Sequence, residues 1–126
     1  MRPKSSTLTA HELELMKIVW PNTGGVTVRD VYEELRKRRP IAYTTVMTSM
    51  KTLEDKGYLK ATHQQDRAYV YKPAQPKAKV IKALVRDFVE RVFNGAGQPL
   101  VLHLLEDDQL TEAELREITR MMGKKK

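Results

Sequence analysis

The chain has 126 residues, a formal net charge of +7 and no cysteine. This length allows one domain, or one small domain with an appendage, and the lack of cysteine excludes disulfides, thiolate metal sites and thiol redox chemistry. No apolar run approaches the roughly 20 residues of a membrane span, and residues 1–7 are polar, so we expect no signal peptide and no membrane insertion, which fits a cytoplasmic protein.

Residues 8–20 carry the start and stop signals of a first helix. Thr9 is placed to cap it, Glu12 to complete a capping box, and Leu8 to pack onto Leu13. The side predicted to face inward consists of Leu13, Met16, Val19 and Trp20. The segment 21–25, PNTGG, ends the helix.

A second helix is predicted after Thr27, which is placed to cap it. Its apolar stripe consists of Val28, Val31, Tyr32 and Leu35. Four basic residues, 36–39, end it, and their charges suit the negative end of a helix dipole, a phosphate backbone, or simply solvent. Pro40 then forces a turn, and the next helix begins about three residues later, which is the spacing of a helix-turn-helix.

The third predicted helix, residues 41–57, is central to the functional interpretation. Its buried side is predicted to consist of Tyr43, Val46, Met47, Met50 and Leu53. Its other side carries Thr44, Thr45, Thr48, Ser49, Lys51, Thr52 and Asp55. Threonine and serine are mediocre helix formers, whereas their hydroxyls and methyls suit phosphates, base edges and thymine methyls. From this helix alone, a DNA-reading face and an ordinary solvated face are equally good interpretations.

Two short strands are predicted after the helix. Gly57 stands where a helix often ends in a left-handed residue, and period-two alternation follows on both sides of a polar tip, 64–68. A helix followed by a basic-tipped hairpin is typical of a winged helix-turn-helix, which places the helix in the major groove and the hairpin on the neighbouring backbone or minor groove. The charge distribution agrees, because residues 1–73 hold 13 Lys/Arg against 8 Asp/Glu, and a basic balance favours a polyanionic partner.

Residues 74–126 are predicted to form three more helices. The first has the clearest amphipathic period, carried by Ile81, Leu84, Val85, Phe88, Val89, Val92 and Phe93. Pro99 is placed to open the second, in which residues 100–105 are apolar nearly all round and are expected to be buried. The third repeats the start signals of the first helix of the chain at Leu110, Thr111 and Glu114.

These helices carry more apolar surface than one small domain needs. Burial against a second copy is therefore favoured over folding back onto the same chain, which stays open as the alternative. The residues predicted to form the dimer interface are Ile81, Leu84, Val85, Phe88, Val92, Leu102, Leu105, Leu115 and Ile118.

No pattern of catalysis, metal binding or cofactor binding stands out. The three histidines, His11, His63 and His103, lack partners at metal-ligand spacing, and no nucleophile–base arrangement or glycine-rich phosphate loop is present. The acidic run 106–108 is better explained as a solvated loop than as a metal site. An enzyme is the least favoured class, and we expect neither a metal nor a cofactor.

Several segments resemble the penicillinase-repressor family of BlaI/MecI type. They are LTAHELELMKIVW, VTVRDVYEEL, YTTVMTSMKTLEDKGYL and DRAYVYKP, together with the layout of RVFNGAGQPLVLHLLEDDQLTEAELREI. The resemblance implies a mainly α (α+β) fold, with a winged helix-turn-helix DNA-binding domain at 1–73 and a helical dimerisation region at 74–126. It also implies a homodimeric transcriptional repressor bound to an inverted-repeat DNA operator, controlling genes of β-lactam resistance or of the cell wall or stress response.

The resemblance further implies which residues contact DNA. These are Tyr43, Thr44, Thr45, Met47 and Thr48 in the third helix, and Arg67 in the wing, for which an ion pair with Asp66 is the alternative. Reasoning from the residues adds Ser49 in the groove, and Lys51, Arg38, Arg39 and Lys60 on phosphates. Because relatives often have lysine and arginine where this chain has Thr44 and Met47, the operator sequence does not follow from the resemblance.

Members of that family are inactivated when a membrane sensor triggers cleavage at an Asn-Phe pair. The matching pair here is His103-Leu104, so either the cleavage specificity differs or this form of induction is absent, and any upstream sensor or protease is unknown. Two other classes of function stay open. One is a winged-helix adaptor that binds proteins rather than DNA, and the other is a regulator with a ligand pocket between the two regions.

Overall fold

A computed structural model describes residues 7–63 and 69–125. The described elements are α1 (Ala10–Val19), α2 (Val28–Leu35), α3 (Tyr43–Asp55), β1 (Leu59–His63), β2 (Tyr69–Pro73), α4 (Lys77–Phe93), α5 (Gln98–Glu106) and α6 (Glu112–Lys125). The two strands pair antiparallel, with Ala61 opposite Tyr71. This arrangement confirms the predicted mainly α winged helix-turn-helix fold. The chain divides into two compact units, of which the first ends at Lys82 and the second begins at Ala83.

Three helices begin with the same reciprocal hydrogen bonds between a threonine and an acidic residue three positions later. The pairs are Thr9–Glu12, Thr27–Asp30 and Thr111–Glu114, with donor–acceptor distances of 2.9–3.1 Å. In each pair the threonine hydroxyl accepts a backbone N–H of the first turn, and the carboxylate accepts the N–H of the threonine. The predicted caps are confirmed. At α2 the capping box is completed by Asp30, whereas the sequence analysis had identified only Thr27 as the cap.

The core of the first unit is shared by α1, α2, α3 and the hairpin. Its members include Leu15, Met16, Val19, Val31, Leu35, Val46, Met50, Leu53, Leu59 and Tyr71. The prediction for α1 was partly wrong, since Leu13 is only half-buried while Leu15 and Ile18 are buried. The reason is that α1 contacts α2, α3 and β2, so that more than one face of it is covered.

The helix α3 begins two residues later than predicted, and its buried side is narrower. Val46, Met50 and Leu53 are fully buried, whereas Tyr43 is 38% and Met47 47% exposed, so the prediction that these two face the core was wrong. Met47 is turned by about 100° from Val46. Tyr43 lies in the first turn, where its ring packs edge-on against that of Tyr32, with the centroids 5.3 Å apart.

Backbone hydrogen bonds join the hairpin to α3 and to the loop before α2. Gly57 has φ +90° and ends α3 in a Schellman motif, because the N–H of Tyr58 donates to the carbonyl of Leu53 (2.9 Å). Val26 and Tyr71 exchange two backbone hydrogen bonds of 2.9 and 2.7 Å. The position of β2 beside α2 and α3 is therefore fixed by the backbone.

Trp20 and the first turns of α4 close the first unit. Trp20 is 9% exposed, and its indole N–H is buried without a hydrogen-bond partner among the described residues. The ammonium of Lys77 lies 5.9 Å from the centroid of this ring, and Val80 is buried. The compact unit thus includes the beginning of α4.

The second unit exposes much of its apolar surface within the single chain. Side chains that are 41–59% exposed are Val85, Phe88, Val92, Leu102, Ile118, Met121 and Met122. None of the residues of α5 is buried within the single chain, so the burial predicted for residues 100–105 would require a second copy. The reason is size, since a unit of this length is near or below the lower limit for enclosing a core of its own. Within residues 7–63 and 69–125, no helix has the length and apolar character needed to cross a membrane.

Candidate nucleic-acid interface

The solvent-facing side of α3 divides into a centre and two flanks. At about 100° per residue, Thr44 and Thr48 lie within about 30° of the direction opposite the buried side, while Thr45 and Met47 lie on opposite flanks. Thr44, Thr45 and Thr48 are all exposed. The hydroxyls predicted to meet DNA therefore remain open to solvent in the folded unit.

One flank of α3 is apolar and borders a cavity of about 540 Å³. Side chains from α3, β2 and the N-terminal end of α2 line this cavity: Thr27, Val28, Arg29, Tyr43, Met47, Lys51, Tyr69, Val70 and Tyr71. The guanidinium of Arg29 lies 5.9 Å from the centroid of the Tyr43 ring, a cation–π arrangement. We call this space the α3–β2 cavity.

The other flank of α3 is tied to α1 by a chain of polar contacts. The guanidinium of Arg39 donates to Glu14 Oε1 (2.7 Å) and contacts His11 Nδ1 (3.1 Å). Because a guanidinium only donates, Nδ1 must accept, so Nε2 carries the hydrogen and donates to Ser49 Oγ at 2.7 Å. Ser49 is half-buried, and its hydroxyl is engaged with α1, unlike those of Thr44 and Thr48.

Glu14 also neutralises part of the basic run that ends α2. The hydrogen bond from Arg39, together with the charges of Arg39 and Arg38, holds the pKa of Glu14 below its ordinary value. Arg38 lies 4.0 Å from the same carboxylate. An open depression of about 710 Å³ beside Thr45 is lined by Glu14, Arg39 and His11 among others, so it contains both signs of charge.

The two lysines predicted to contact phosphates differ in their surroundings. Lys51 lies on the exposed side of α3, where its ammonium is 3.8 Å from Glu54 and 3.6 Å from Asp55. Lys60 is exposed on β1. Contacts as long and exposed as those of Lys51 contribute little stability, so both ammonium groups are available to an anion.

The first turn of α3 is not capped by a side chain. Its N-cap residue, Ala42, has no hydroxyl or carboxylate to accept the backbone N–H groups of the turn, in contrast to Thr9 and Thr27. Unsatisfied N–H groups at a helix N-terminus favour an anionic neighbour. A phosphate group placed at this end of α3 could accept hydrogen bonds from the N–H groups that no side chain caps.

The predicted residues fall into two groups, since Tyr43, Met47 and Lys51 line the α3–β2 cavity, whereas Arg39 and Thr45 line the open depression on the other flank. Arg67, predicted at the wing tip, lies outside the described residues. Sequence reasoning missed Arg29, Tyr69 and the connecting role of His11, because none of them lies on the amphipathic pattern of α3. Among the described residues, no group of three histidine, aspartate or glutamate side chains is arranged to hold a metal ion.

Comparison with known proteins gives a consistent result. The family model described as "Penicillinase repressor" matches residues 8–124. The chain is 31% identical over 115 residues to the penicillinase repressor of Bacillus licheniformis, covering 91% of this chain and 88% of that protein. It is 34% identical over 104 residues to the transcriptional regulator BlaI of Mycobacterium tuberculosis, covering 82% and 75%. It is 22% identical over 125 residues to the methicillin resistance regulatory protein MecI of Staphylococcus aureus, covering 99% and 100%.

Proposed function

Because the chain belongs to the penicillinase repressor family, a family of transcriptional repressors and not of enzymes, we propose that it represses transcription as a homodimer on an inverted-repeat operator. The observation that carries this proposal is the exposure of Thr44 and Thr48 on α3, beside a hairpin fixed to the same unit. A winged helix-turn-helix uses this pair of elements on double-stranded DNA. The named relatives are bacterial, and a bacterial repressor meets its operator in the cytoplasm, to which we assign this protein.

Within this proposal, the exposed face of α3 reads the major groove. Thr44, Thr45 and Thr48 approach base edges and sugar-phosphate, while Tyr43 and Met47 supply apolar contacts of the kind that thymine methyl groups accept. Ser49 serves mainly to hold α3 against α1, since its hydroxyl is engaged by His11.

The phosphate contacts are assigned to cations that surround this face. They are Lys51, Lys60, Arg38 and Arg39, with Arg67 assigned from the family resemblance alone. The ion pairs that Lys51 and Arg38 make within the chain are long and exposed. Such pairs are worth roughly 0–1 kcal/mol each, so exchanging a carboxylate for a phosphate costs little.

The second half of the proposal concerns assembly. We assign residues 1–73 to DNA binding and residues 74–126 to dimerisation through their apolar faces. The residues assigned to this interface are Ile81, Leu84, Val85, Phe88, Val92, Leu102, Leu105, Leu115 and Ile118. A symmetric dimer would place two α3 helices on half-sites about one helical turn apart, roughly 34–36 Å, or a multiple of this distance.

The names of the relatives point to the genes concerned. They are called a penicillinase repressor and methicillin resistance regulatory proteins. We therefore propose genes of β-lactam resistance, of the cell wall or of the stress response as targets. Release by cleavage at His103-Leu104 is not part of the proposal, because this chain lacks the Asn-Phe pair at that place.

Footprinting of the full-length protein on genomic DNA fragments tests the proposed function. We expect protection of a two-fold symmetric sequence upstream of a gene, at protein concentrations that leave shuffled fragments of equal length unprotected. Uniform protection of all fragments, or none at all, would contradict sequence-specific repression and would favour a protein-binding adaptor.

A further inference from the structure

The α3–β2 cavity has the properties of a small-molecule site. Its volume, about 540 Å³, lies within the range of roughly 300–1,000 Å³ that is usual for ligand pockets. Tyr43, Met47 and Tyr69 line it and remain 38%, 47% and 54% exposed. The wall is therefore largely aromatic and apolar, as in pockets that bind flat organic molecules.

The charged side chains that line the cavity indicate the charge of its ligand. Arg29 and Lys51 are its two charged members, and no carboxylate belongs to the described lining. The ion pairs that these two cations make within the chain are long, since Glu33 lies 3.9 Å from Arg29 and Asp55 lies 3.6 Å from Lys51. A planar guanidinium on an aromatic ring is well suited to bind a carboxylate in two parallel hydrogen bonds.

The depression on the other flank of α3 provides a contrast. It is larger and more open, and its lining includes the Glu14 carboxylate, which Arg39 already neutralises. An anionic ligand in that depression would lie close to the Glu14 carboxylate, which would repel it. The α3–β2 cavity combines a largely aromatic and apolar wall with two cations whose ion pairs within the chain are long, at 3.6–3.9 Å.

We propose that the α3–β2 cavity binds a flat aromatic carboxylate, and that this ligand competes with operator DNA. The competition rests on the function proposed above, because Tyr43, Met47 and Lys51 line the cavity and are also assigned to the DNA interface. A ligand seated against these side chains occupies the space that DNA needs. The repressor would then be released by direct exclusion, without cleavage of the chain.

Binding to the DNA-free protein is tested first, with 1-naphthoate as the probe and 1-naphthamide as its uncharged match. Methionine methyl groups labelled with carbon-13 provide the signal in NMR titrations. We expect a saturable shift of the Met47 methyl, with the buried Met16 and with Met121 of the second unit unchanged as internal references. Since the ligand's carboxylate pairs with a guanidinium, the amide should bind about tenfold more weakly.

Two variants distinguish binding in the α3–β2 cavity from non-specific binding elsewhere on the protein. Arg29→Gln should weaken naphthoate binding about tenfold and remove the preference over the amide. Val28→Phe fills the cavity and should abolish the Met47 shift for both compounds, and its thermal unfolding reports whether the domain is intact. If Met47 does not shift, if Met121 shifts in parallel, or if Arg29→Gln keeps the preference for the carboxylate, the assignment is wrong.

Competition is tested next by fluorescence anisotropy of labelled operator DNA. For simple exclusion, the apparent operator Kd rises linearly with free naphthoate, by the factor one plus its concentration over its Kd. A Kd that stays constant while the Met47 shift saturates would overturn the regulatory part of the proposal. If the protein binds no operator, the proposed function fails, whereas the methyl shifts still decide whether the cavity is a ligand site.

Discussion

Thr48 lies almost opposite the buried side of α3, which makes it the most direct test of base reading at the level of single residues. We expect Thr48→Ala to weaken operator binding by roughly 1 kcal/mol, about fivefold, and to affect random DNA much less. Thr119→Ala is the matched control, because this threonine bonds the carbonyl of Leu115 within α6, in the other unit. Equal losses on operator and random DNA would mean that Thr48 does not read sequence.

Lys51 is expected to act through charge alone. Lys51→Ala should reduce the slope of log affinity against log salt concentration by about one unit, because one phosphate contact and its counterion release are lost. Lys82→Ala removes the same charge from an exposed position of α4 and should leave the slope unchanged. A slope that does not change in Lys51→Ala would remove this residue from the interface.

Glu12 connects α1 to the end of α3 through a largely buried ion pair. Its Oε1 lies 2.7 Å from the ammonium of Lys56, and the two side chains are 9% and 15% exposed. Burial raises the pKa of Glu12, but the hydrogen bonds from Lys56 and Thr9 and the charge of Lys56 outweigh it, so the pKa lies below its ordinary value of 4.5. The charged carboxylate therefore stabilises the fold above about pH 4.5, and this contribution is lost as the pH falls through the lower folded-state pKa.

Glu12→Gln should consequently be less stable than the wild type by roughly 1–2 kcal/mol at neutral pH. The difference between the two proteins should shrink at about pH 3, because this pH lies below the unfolded-state pKa of 4.5 and part of the stabilisation by the charged carboxylate is then lost. Urea unfolding followed by circular dichroism at both pH values measures this. A difference that is the same at both values would show that the charge of Glu12 is not what stabilises the contact.

At the scale of elements, the sequence predicted the helix boundaries well wherever a local chemical signal marks them. Capping is such a signal, because a capping threonine bonds only to the first turn of its own helix. The roles of Thr9, Thr27 and Thr111 could therefore be predicted from the residue three positions later. The buried side of α3 was harder to predict, because Tyr43 and Met47 fit the helical period of the apolar residues but lie outside the surface that the other elements cover. Which apolar residues of a short helix are buried depends on its neighbours, and the α3–β2 cavity depends on segments distant in sequence.

The attachment of the hairpin gives a prediction at the same scale. Gly25 and Gly57 both have a positive φ, +100° and +90°, but a Cβ at Gly25 would overlap Val70 Cγ1, whereas nothing lies within 4 Å of one at Gly57. We expect Gly57→Ala to cost about 1 kcal/mol from backbone strain alone, and Gly25→Ala roughly 2–3 kcal/mol. Thermal unfolding of both variants compares them, and equal losses would contradict the role of packing against β2.

At the scale of the whole molecule, the two units differ in how completely they bury their apolar residues. The first has a closed core, whereas α4, α5 and α6 leave side chains such as Phe88 and Met122 about half exposed. The amphipathic pattern predicted these helices, but it did not predict their exposure, since periodicity identifies an apolar face without identifying what covers it. A second copy of the chain is the proposed cover.

Phe88→Asp tests this assembly, because it places a charge in the middle of the apolar stripe of α4. We expect a monomer in sedimentation experiments and a large loss of operator affinity, since both half-sites must be held together. Ala83→Asp adds the same charge at an exposed position on another side of α4 and should remain dimeric. A dimer that persists in Phe88→Asp would mean that this stripe does not form the interface.

Trp20 is the only tryptophan of the chain, and it is buried beside the ammonium of Lys77 in the first unit. Its emission spectrum therefore follows the unfolding of the first unit alone, as a shift to longer wavelength when the indole meets water. Ellipticity at 222 nm, in contrast, sums over the helices of both units. Recording the two signals on one sample would reveal whether the helices of the second unit melt before the first unit unfolds.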